Sequence, residues 1–216
     1  MKKILLLLLL AIILIFANQI EQSCLSMNFS WTLSKALPYL LLVVIGIFLA
    51  FAFSKNKIRN KFLKYSLSVL LLLAPFGIGF ILHPIYEGDF SLIGTDIKES
   101  TGLKQFKNTD LAVITIPGCP YCMASIEKLK LIKKRNPSIR IQFIVCSESK
   151  NDLKPYIQEA EGAFPIVLTS SIDKAAEIAG HRFPTFIQIQ SSKTVYKWSN
   201  DQFGVRAVDK LESELN

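Results

Sequence analysis

Histidine and cysteine are scarce in this sequence, which has two histidines and four cysteines among its 216 residues. A structural zinc site needs four ligands, typically two C-x-x-C pairs, or one such pair with two histidines at ligand spacing. The chain contains one C-x-x-C, formed by Cys119 and Cys122. The other candidate ligands are scattered along it: Cys24, Cys146, His83 and His181. We therefore predict no metal site.

Acidic residues are almost absent from the first part of the chain. Residues 1–82 carry eight Lys or Arg and a single acidic residue, Glu21, whereas residues 83–216 carry seventeen basic and sixteen acidic residues. Residues 1–82 therefore carry +7 of the formal net charge of +8. Because the rest of the chain has no excess of basic residues, its charge gives no support for a nucleic-acid partner.

Charged residues are missing altogether from three apolar runs, at 4–17, 36–53 and 66–82. A helix needs about 20 apolar residues to cross a bilayer. The second and third runs have that length, and the first reaches it if the helix continues to residue 20. The alternative is that these runs form buried core helices. We disfavour it because the runs lack the polar residues that such helices usually carry. We predict a membrane anchor over residues 1–82, in contact with lipid, with helices at about 4–20, 36–53 and 66–82.

The first apolar run also fits a secretory signal peptide. Lys2 and Lys3 precede a leucine-rich stretch, and residues 15–17 form an acceptable cleavage site. A lipoprotein signal does not fit, because the residues before Cys24 are too polar. We favour an uncleaved anchor of three helices over an anchor of two.

The orientation of the predicted anchor follows from its basic residues. The 54–65 loop contains five of them, whereas the 18–35 loop contains Glu21 and Lys35. Cytoplasmic loops are enriched in Lys and Arg. The predicted topology is therefore a multi-pass cell-membrane protein whose residues 83–216 lie on the extracytoplasmic (periplasmic) side. The five basic residues are Lys55, Lys57, Arg59, Lys61 and Lys64.

The remaining sequence alternates between strand and helix patterns. A polar connector is predicted over 83–99, since Pro84 ends the last apolar run. Apolar runs predict strands, and helical periodicity predicts helices between them, so we expect an α/β fold with a partly parallel sheet over 100–216. The predicted strands are 111–116, 139–145, 164–168, 183–190 and 194–198, and the predicted helices are 120–135, 152–161, 172–179 and 203–215.

The motif Cys119-Pro120-Tyr121-Cys122 directly follows a predicted strand and begins a predicted helix. That position makes a C-x-x-C informative, because unpaired N–H groups at a helix N-terminus stabilise a thiolate. Cysteines in such settings have pKa values of roughly 3.5–7.5. We predict that Cys119 is the exposed nucleophile and that Cys122 resolves the mixed disulfide. The alternatives are half of a zinc site and an inert structural disulfide.

Two segments, ITIPGCPYC at 114–122 and FPTF at 183–186, resemble the thioredoxin superfamily. The resemblance implies a thioredoxin-like fold and a redox-active disulfide that needs no cofactor. It also implies a cis Pro184 beside a substrate groove, whose walls would include Pro120, Tyr121, Phe183 and Thr185. AFPIVL at 163–168 and HRFPTF at 181–186 are similar to the membrane-tethered TlpA-like branch.

The sequence departs from these relatives at several positions. The C-P-Y-C dipeptide is typical of glutaredoxins, but the double glycine that follows the cis-proline in those proteins is absent. Val113 stands where many thioredoxins have a buried acid, and Phe183 is bulkier than the usual residue before the cis-proline. The motif is therefore compatible with a reductase or an oxidant, since C-x-x-C potentials span about −270 to −120 mV.

Four further groups have weaker signals. We interpret Cys146 as a small buried residue rather than a third redox thiol, and His181 as a surface histidine beside Arg182. Cys24 is either a free thiol of the outer loop or an exchange partner. The basic cluster is interpreted as the solvated face of the helix that follows the C-x-x-C: Lys128, Lys130, Lys133, Lys134 and Arg135.

These observations predict a membrane-anchored thiol–disulfide oxidoreductase whose partners are extracytoplasmic thiol or disulfide proteins. The resemblance to the TlpA-like branch favours a reductase. The first alternative is a copper-handling or assembly protein with the two thiolates as Cu(I) ligands, for which Met123 is the nearest additional candidate ligand. The second is an electron relay from Cys24 to Cys119, which is disfavoured because the predicted helices contain no cysteine.

Overall fold

A computed structural model describes residues 2–55, 59–90, 94–96, 106, 108–190 and 193–215. Lys57 lies outside the described residues, as do Ser191 and Ser192 between the last two predicted strands. The chain divides into two compact units, residues 1–85 and residues 86–216, which are considered separately.

The N-terminal unit consists of helices α1 (Lys2–Ser26), α2 (Trp31–Ser54) and α3 (Lys61–Leu82). All three are long and apolar enough to span a membrane. The second and third begin before their apolar runs because side chains cap them. The Ser30 oxygen accepts from the N–H of Leu33 at 3.2 Å, and the Asn60 side chain accepts from the first turn of α3. The helices are therefore longer than the apolar runs that predicted them.

Helix α1 continues past its apolar run into polar sequence, with a break in helical geometry at Phe16. Its last turns include Glu21, which pairs with Lys35 of α2 at 3.8 Å, and Cys24, which is buried. The expectation that the helices contain no cysteine is therefore wrong. An apolar run in the sequence predicts only the part of a helix that lipid can surround. The helix itself continues as long as its backbone hydrogen bonds do, and here it extends into polar sequence.

Small residues allow helices α2 and α3 to pack closely. A side chain at Gly46 of α2 would collide with the backbone of Leu72 in α3, and one at Gly79 would collide with the side chain of Leu42. Close approach through small residues is typical of membrane helix pairs.

In its described residues, the C-terminal unit is built on one mixed sheet of six strands in the order β1-β6-β5-β2-β3-β4. Strands β2, β3 and β4 are parallel, and β5, β6 and β1 add antiparallel pairs beyond β2. Strand β2 is central, and all five of its residues are buried, in agreement with its continuous apolar sequence. The strands are β1 (Thr95–Asp96), β2 (Leu111–Thr115), β3 (Ile141–Val145), β4 (Ile166–Leu168), β5 (Thr185–Gln190) and β6 (Lys193–Ser199).

Five helices flank or precede these strands in the described part of the unit, and a 3₁₀ turn at Lys150–Leu153 leads into the third of them. The predicted α/β fold is confirmed. Within the predicted 83–99 connector, however, the structure forms a short helix and strand β1, which pairs with β6, so this part of the segment belongs to the sheet domain. The helices are α4 (Glu87–Phe90), α5 (Pro120–Arg135), α6 (Lys154–Ala160), α7 (Ile172–Ala179) and α8 (Val205–Leu215).

Alternation along the strands divides the core into two faces. Ile114 and Ile144 point toward α7, where they pack with Ala175 and Ala179. Val113 points the opposite way, on the face shared with α5 and α8. These two helices are joined there by a charged pair, Arg135 with Glu212, at 3.2 Å.

An aromatic cluster fills the second face. Phe203, just before α8, stacks on Phe186 of β5 with ring centroids 3.9 Å apart and an interplanar angle of 9°. The ring centroid of Trp198 in β6 lies 5.6 Å from that of Phe203. Lys128 of α5 donates to the main-chain oxygen of Phe203 at 2.8 Å, and its ammonium lies 5.7 Å from the ring centroid. Strands β5 and β6 and helix α5 thus meet at one phenylalanine, Phe203.

Candidate active site

The turn between β2 and α5 places the first cysteine at the beginning of a helix. After Thr115 the chain passes through Pro117 and Gly118, where φ is +69°. Glycine adopts this left-handed conformation without a steric penalty, and the next residue, Cys119, becomes the N-cap of α5. The sequence of strand, tight turn and helix therefore fixes where the first sulfur lies.

Cys119 and Cys122 form a disulfide, with their Cα atoms 5.2 Å apart. The Cys119 sulfur also accepts a hydrogen bond from the backbone N–H of Cys122 at 3.2 Å, and Pro120 occupies the first turn of the helix. No acidic residue lies in that turn, so nothing opposes the positive end of the helix dipole. Cys119 is 8% exposed and Cys122 is 0% exposed. Cys119 is thus less exposed than predicted but is the more accessible sulfur.

The Phe183–Pro184 peptide bond is cis, as the resemblance implied. Pro184 is buried and immediately precedes β5, whose residue Thr185 pairs with Ile114 of β2. Strand β2 ends one residue further on, so Pro184 lies level with that end. Pro184 therefore lies at the end of the strands from which the turn that carries Cys119 departs.

The four predicted groove residues have different environments. Pro120 is exposed and Tyr121 is 64% exposed, so both lie at the surface beside Cys119. Phe183 is half-buried and packs against the core cluster on the α7 face. Thr185 is 1% exposed, and its hydroxyl lies 2.5 Å from the carbonyl oxygen of Arg182 and 3.3 Å from that of Ala179, at the end of α7. The structure does not bring the Thr185 side chain to the surface, since its hydroxyl caps the end of α7.

No ionisable side chain occupies the position of the buried thioredoxin acid. Val113 is fully buried in the middle of β2, and its cross-strand neighbours are Phe143 of β3 and Phe186 of β5. Both neighbours are apolar, so this part of the core could not accommodate a carboxylate without a large desolvation cost.

Cys146 follows β3 directly, and its N–H donates to the carbonyl oxygen of Thr115 at 2.8 Å. The thiol is a free, buried member of the α7-face core. Burial raises the pKa of Cys146 from 9.0 to about 11. At neutral pH it is almost entirely the protonated thiol, which is a poor nucleophile. This environment agrees with the interpretation of Cys146 as a small core residue.

Tyr156 is a site residue that sequence reasoning missed. Its hydroxyl donates to the carbonyl oxygen of Ile116 at 2.7 Å. The side chain is 1% exposed. Burial, together with the charge of Asp152, raises the pKa of Tyr156, so that its hydroxyl stays protonated. A tyrosine in a predicted amphipathic helix gives no sequence signal for such a contact.

The remaining candidates lie at the surface or in structural contacts. His181 and Arg182 are partly or fully exposed, in agreement with the surface interpretation of the histidine. Lys130 pairs with Glu161 of the α6 end at 2.9 Å, which raises the pKa of that lysine. Lys133 donates to the carbonyl oxygen of Ile139 at 2.7 Å. Among the described residues, no group of three or more His, Cys, Asp or Glu side chains lies close enough together to hold a metal ion.

Neither protein-family models nor curated proteins gave a match to this chain. Several solved structures resemble it. One is a secreted Mycobacterium tuberculosis disulfide oxidoreductase homologous to E. coli DsbE, with 13% identity, a TM-score of 0.40, and coverage of 48% of this chain and 79% of the other. Another is the thioredoxin domain of a Bacteroides vulgatus thiol-disulfide oxidoreductase, with 20% identity, a TM-score of 0.41, and coverage of 53% and 84%.

A third is a thioredoxin-like protein from Bacteroides caccae, with 16% identity, a TM-score of 0.35, and coverage of 93% of this chain and 77% of the other. We assign the fold from three features of this chain: the order of its strands, the disulfide at the beginning of α5 and the cis-proline before β5. Residues 86–216 therefore have a thioredoxin-like fold.

Proposed function

We propose that the chain is a membrane-anchored enzyme that exchanges disulfides with extracytoplasmic proteins, in the direction that reduces the partner. The observation that carries this proposal is the disulfide at the N-terminus of α5, in which the Cys119 sulfur accepts the N–H of Cys122. The same N–H and the helix dipole stabilise Cys119 as a thiolate once the pair is reduced.

The reaction proceeds by two exchanges. The Cys119 thiolate attacks one sulfur of the partner disulfide, so that a mixed disulfide forms and the second partner sulfur leaves as a thiolate and takes up a proton. Cys122 then loses its proton and attacks the Cys119 sulfur, which releases the first partner sulfur as a thiol. Two electrons pass from the enzyme dithiol to the partner. An upstream thiol reductant must restore the Cys119–Cys122 dithiol.

The surroundings of Cys119 suit a protein substrate. Pro120 and Tyr121 present an exposed, largely apolar surface, and Pro184 has no backbone N–H to donate at the edge of the sheet. A partner segment can therefore lie against these residues while its disulfide approaches the sulfur. These three residues would form part of the substrate groove.

The extracytoplasmic location rests on the three apolar helices and on the basic loop between α2 and α3. That loop includes Lys55 and Arg59, whereas the connection between α1 and α2 has no basic residue from 27 to 30. An odd number of spans places the two ends of the anchor on opposite sides of the membrane.

The first test measures exchange by the full chain purified in detergent. We expect wild-type protein with dithiothreitol to accelerate the reduction of insulin disulfides, and Cys119→Ser to give only the background rate. Cys24 and Cys146 remain in both proteins and serve as internal controls. Equilibration with thiol buffers should give a potential near the thioredoxin value of about −270 mV rather than the value of about −120 mV for a strong oxidant.

Two results would contradict the proposal. A potential near the oxidant value would reverse the direction of electron flow. Tight binding of Cu(I) by wild-type protein, with no reduction of any model disulfide, would favour the copper-handling alternative.

The second test concerns the side of the membrane. We expect alkaline phosphatase, which is active only outside the cytoplasm, to be active when fused after residue 216 and inactive when fused after Asn60. A cytoplasmically active reporter should give the opposite pattern at the same two positions. Activity of alkaline phosphatase at Asn60 alone would overturn the proposed location.

A further inference from the structure

Tyr156 contacts the start of the active-site turn. Its buried hydroxyl donates to the carbonyl oxygen of Ile116, where the chain leaves β2. The turn with Gly118 in the left-handed conformation lies between Ile116 and Cys119, the N-cap of α5. One buried hydroxyl therefore holds the residue from which this turn leaves the strand.

The ring that carries this hydroxyl is held firmly. It lies 5.2 Å from the ring of Phe143 in β3, which in turn stacks at 6.3 Å on Phe164 before β4. The start of α6 is fixed as well, since Ser147 donates to the carboxylate of Asp152 in the preceding 3₁₀ turn. Because the Tyr156 ring is fixed against the sheet, its hydroxyl can hold the turn in a fixed position relative to the sheet.

We propose that Tyr156 is a positioning residue for the reaction, whose hydroxyl holds the turn so that the Cys119 sulfur stays on the N–H of Cys122. This inference rests on the proposed function and extends it to a residue outside the C-x-x-C motif. The hydrogen bond from Cys122 requires the extended backbone that Cys119 adopts as N-cap, with φ −80° and ψ 113°. Without the hydroxyl, the Ile116 carbonyl oxygen loses this donor, the turn is held less firmly, and so is the Cys119 sulfur.

The expected consequence is a less stable thiolate. The net strength of one neutral hydrogen bond corresponds to about a two- to tenfold change in an equilibrium constant. Tyr156→Phe should therefore raise the pKa of the reduced Cys119 thiol and slow its reaction about two- to tenfold at pH values below that pKa. Above the pKa the two rates should converge, because the variant sulfur is then a thiolate as well.

The experiment uses the full chain in detergent with the Cys122→Ser substitution. Cys119 is then the only cysteine in the proteolytic peptide that mass spectrometry analyses. The rate of alkylation by iodoacetamide is measured at Cys119 by mass spectrometry across a pH series, with and without Tyr156→Phe. The matched control is Tyr196→Phe, which removes a hydroxyl from strand β6 at the level of Gln188, far from the Cys119 end of the sheet. Melting curves of all three proteins report their stability.

A shift of the pH midpoint in Tyr156→Phe, with no shift in Tyr196→Phe, supports the inference. An unchanged midpoint overturns it, even if the melting temperature falls, because a merely structural role lowers stability without moving the thiolate pKa. An equal shift in the control also overturns it. Failure of the proposed function is separate: in that case the wild-type protein does not reduce insulin disulfides, whatever the alkylation profile.

Discussion

Cys122→Ser is expected to convert the protein into a trap for its partners. Cys119 can still attack a partner disulfide, but no second thiol at the N-terminus of α5 is left to release it, so covalent adducts should accumulate. The structure supports this division of roles, because Cys122 is fully buried whereas part of the Cys119 surface is accessible. Non-reducing gels of cells expressing the variant should show many more adducts than the wild type, and dithiothreitol should reduce them.

The matched variant is Cys119→Ser, which leaves Cys122 as the only thiol of the motif. Since Cys122 lies inside the first turn of α5, this variant should form few adducts or none. The buried thiol of Cys146 is common to both variants and cannot explain a difference between them. Equal trapping by the two variants would show that the roles assigned to the two sulfurs are wrong.

Phe203→Ala is expected to lower the free energy of unfolding of the C-terminal unit by about 3–5 kcal/mol, as other deletions of buried aromatic rings do. The ring is 2% exposed and contacts Phe186 and Trp198. Lys128 donates to the main-chain oxygen of Phe203, so that hydrogen bond remains possible in the variant. The loss therefore reports mainly the packing of the ring. Urea unfolding of the full chain in detergent, followed by pulse proteolysis, measures it.

The control for this prediction is Ile157→Ala on α6, a large apolar residue that is 52% exposed. Substitutions at such surface positions usually change stability by less than about 0.5 kcal/mol. If Phe203→Ala and Ile157→Ala destabilise the protein equally, the stacked cluster does not have the importance that its geometry indicates.

Most elements of the C-terminal unit could be predicted because their hydrophobic patterns are local. The helix that begins at Pro120 ends at Arg135, as predicted, and the central strand is only one residue shorter than expected. The strand Thr95–Asp96 was not predictable, because two residues carry no periodicity and the pairing with β6 depends on sequence about a hundred residues away. Local patterns therefore define this fold except where an element depends on a distant partner.

The same distinction applies to the site. The redox pair and the cis-proline could be predicted because a motif and a resemblance mark them. Thr185 was expected in the groove, but in strand β5 its side chain points inward and caps α7. Tyr156 was missed because its contact with Ile116 spans forty residues and arises only when α6 packs over β3. Neither feature has a signature in the neighbouring sequence.

The two outer strands of the sheet bear on how copies of this protein behave toward one another. Strand β1 has two residues and strand β4 has three, and Pro165, directly before β4, has no N–H. A long, flat outer strand is a template on which another chain can add its own strand and begin aggregation. In the part of the chain that the structure describes, these two strands offer few backbone groups to an added strand. Short outer strands of this kind disfavour the joining of neighbouring copies into a continuous intermolecular sheet.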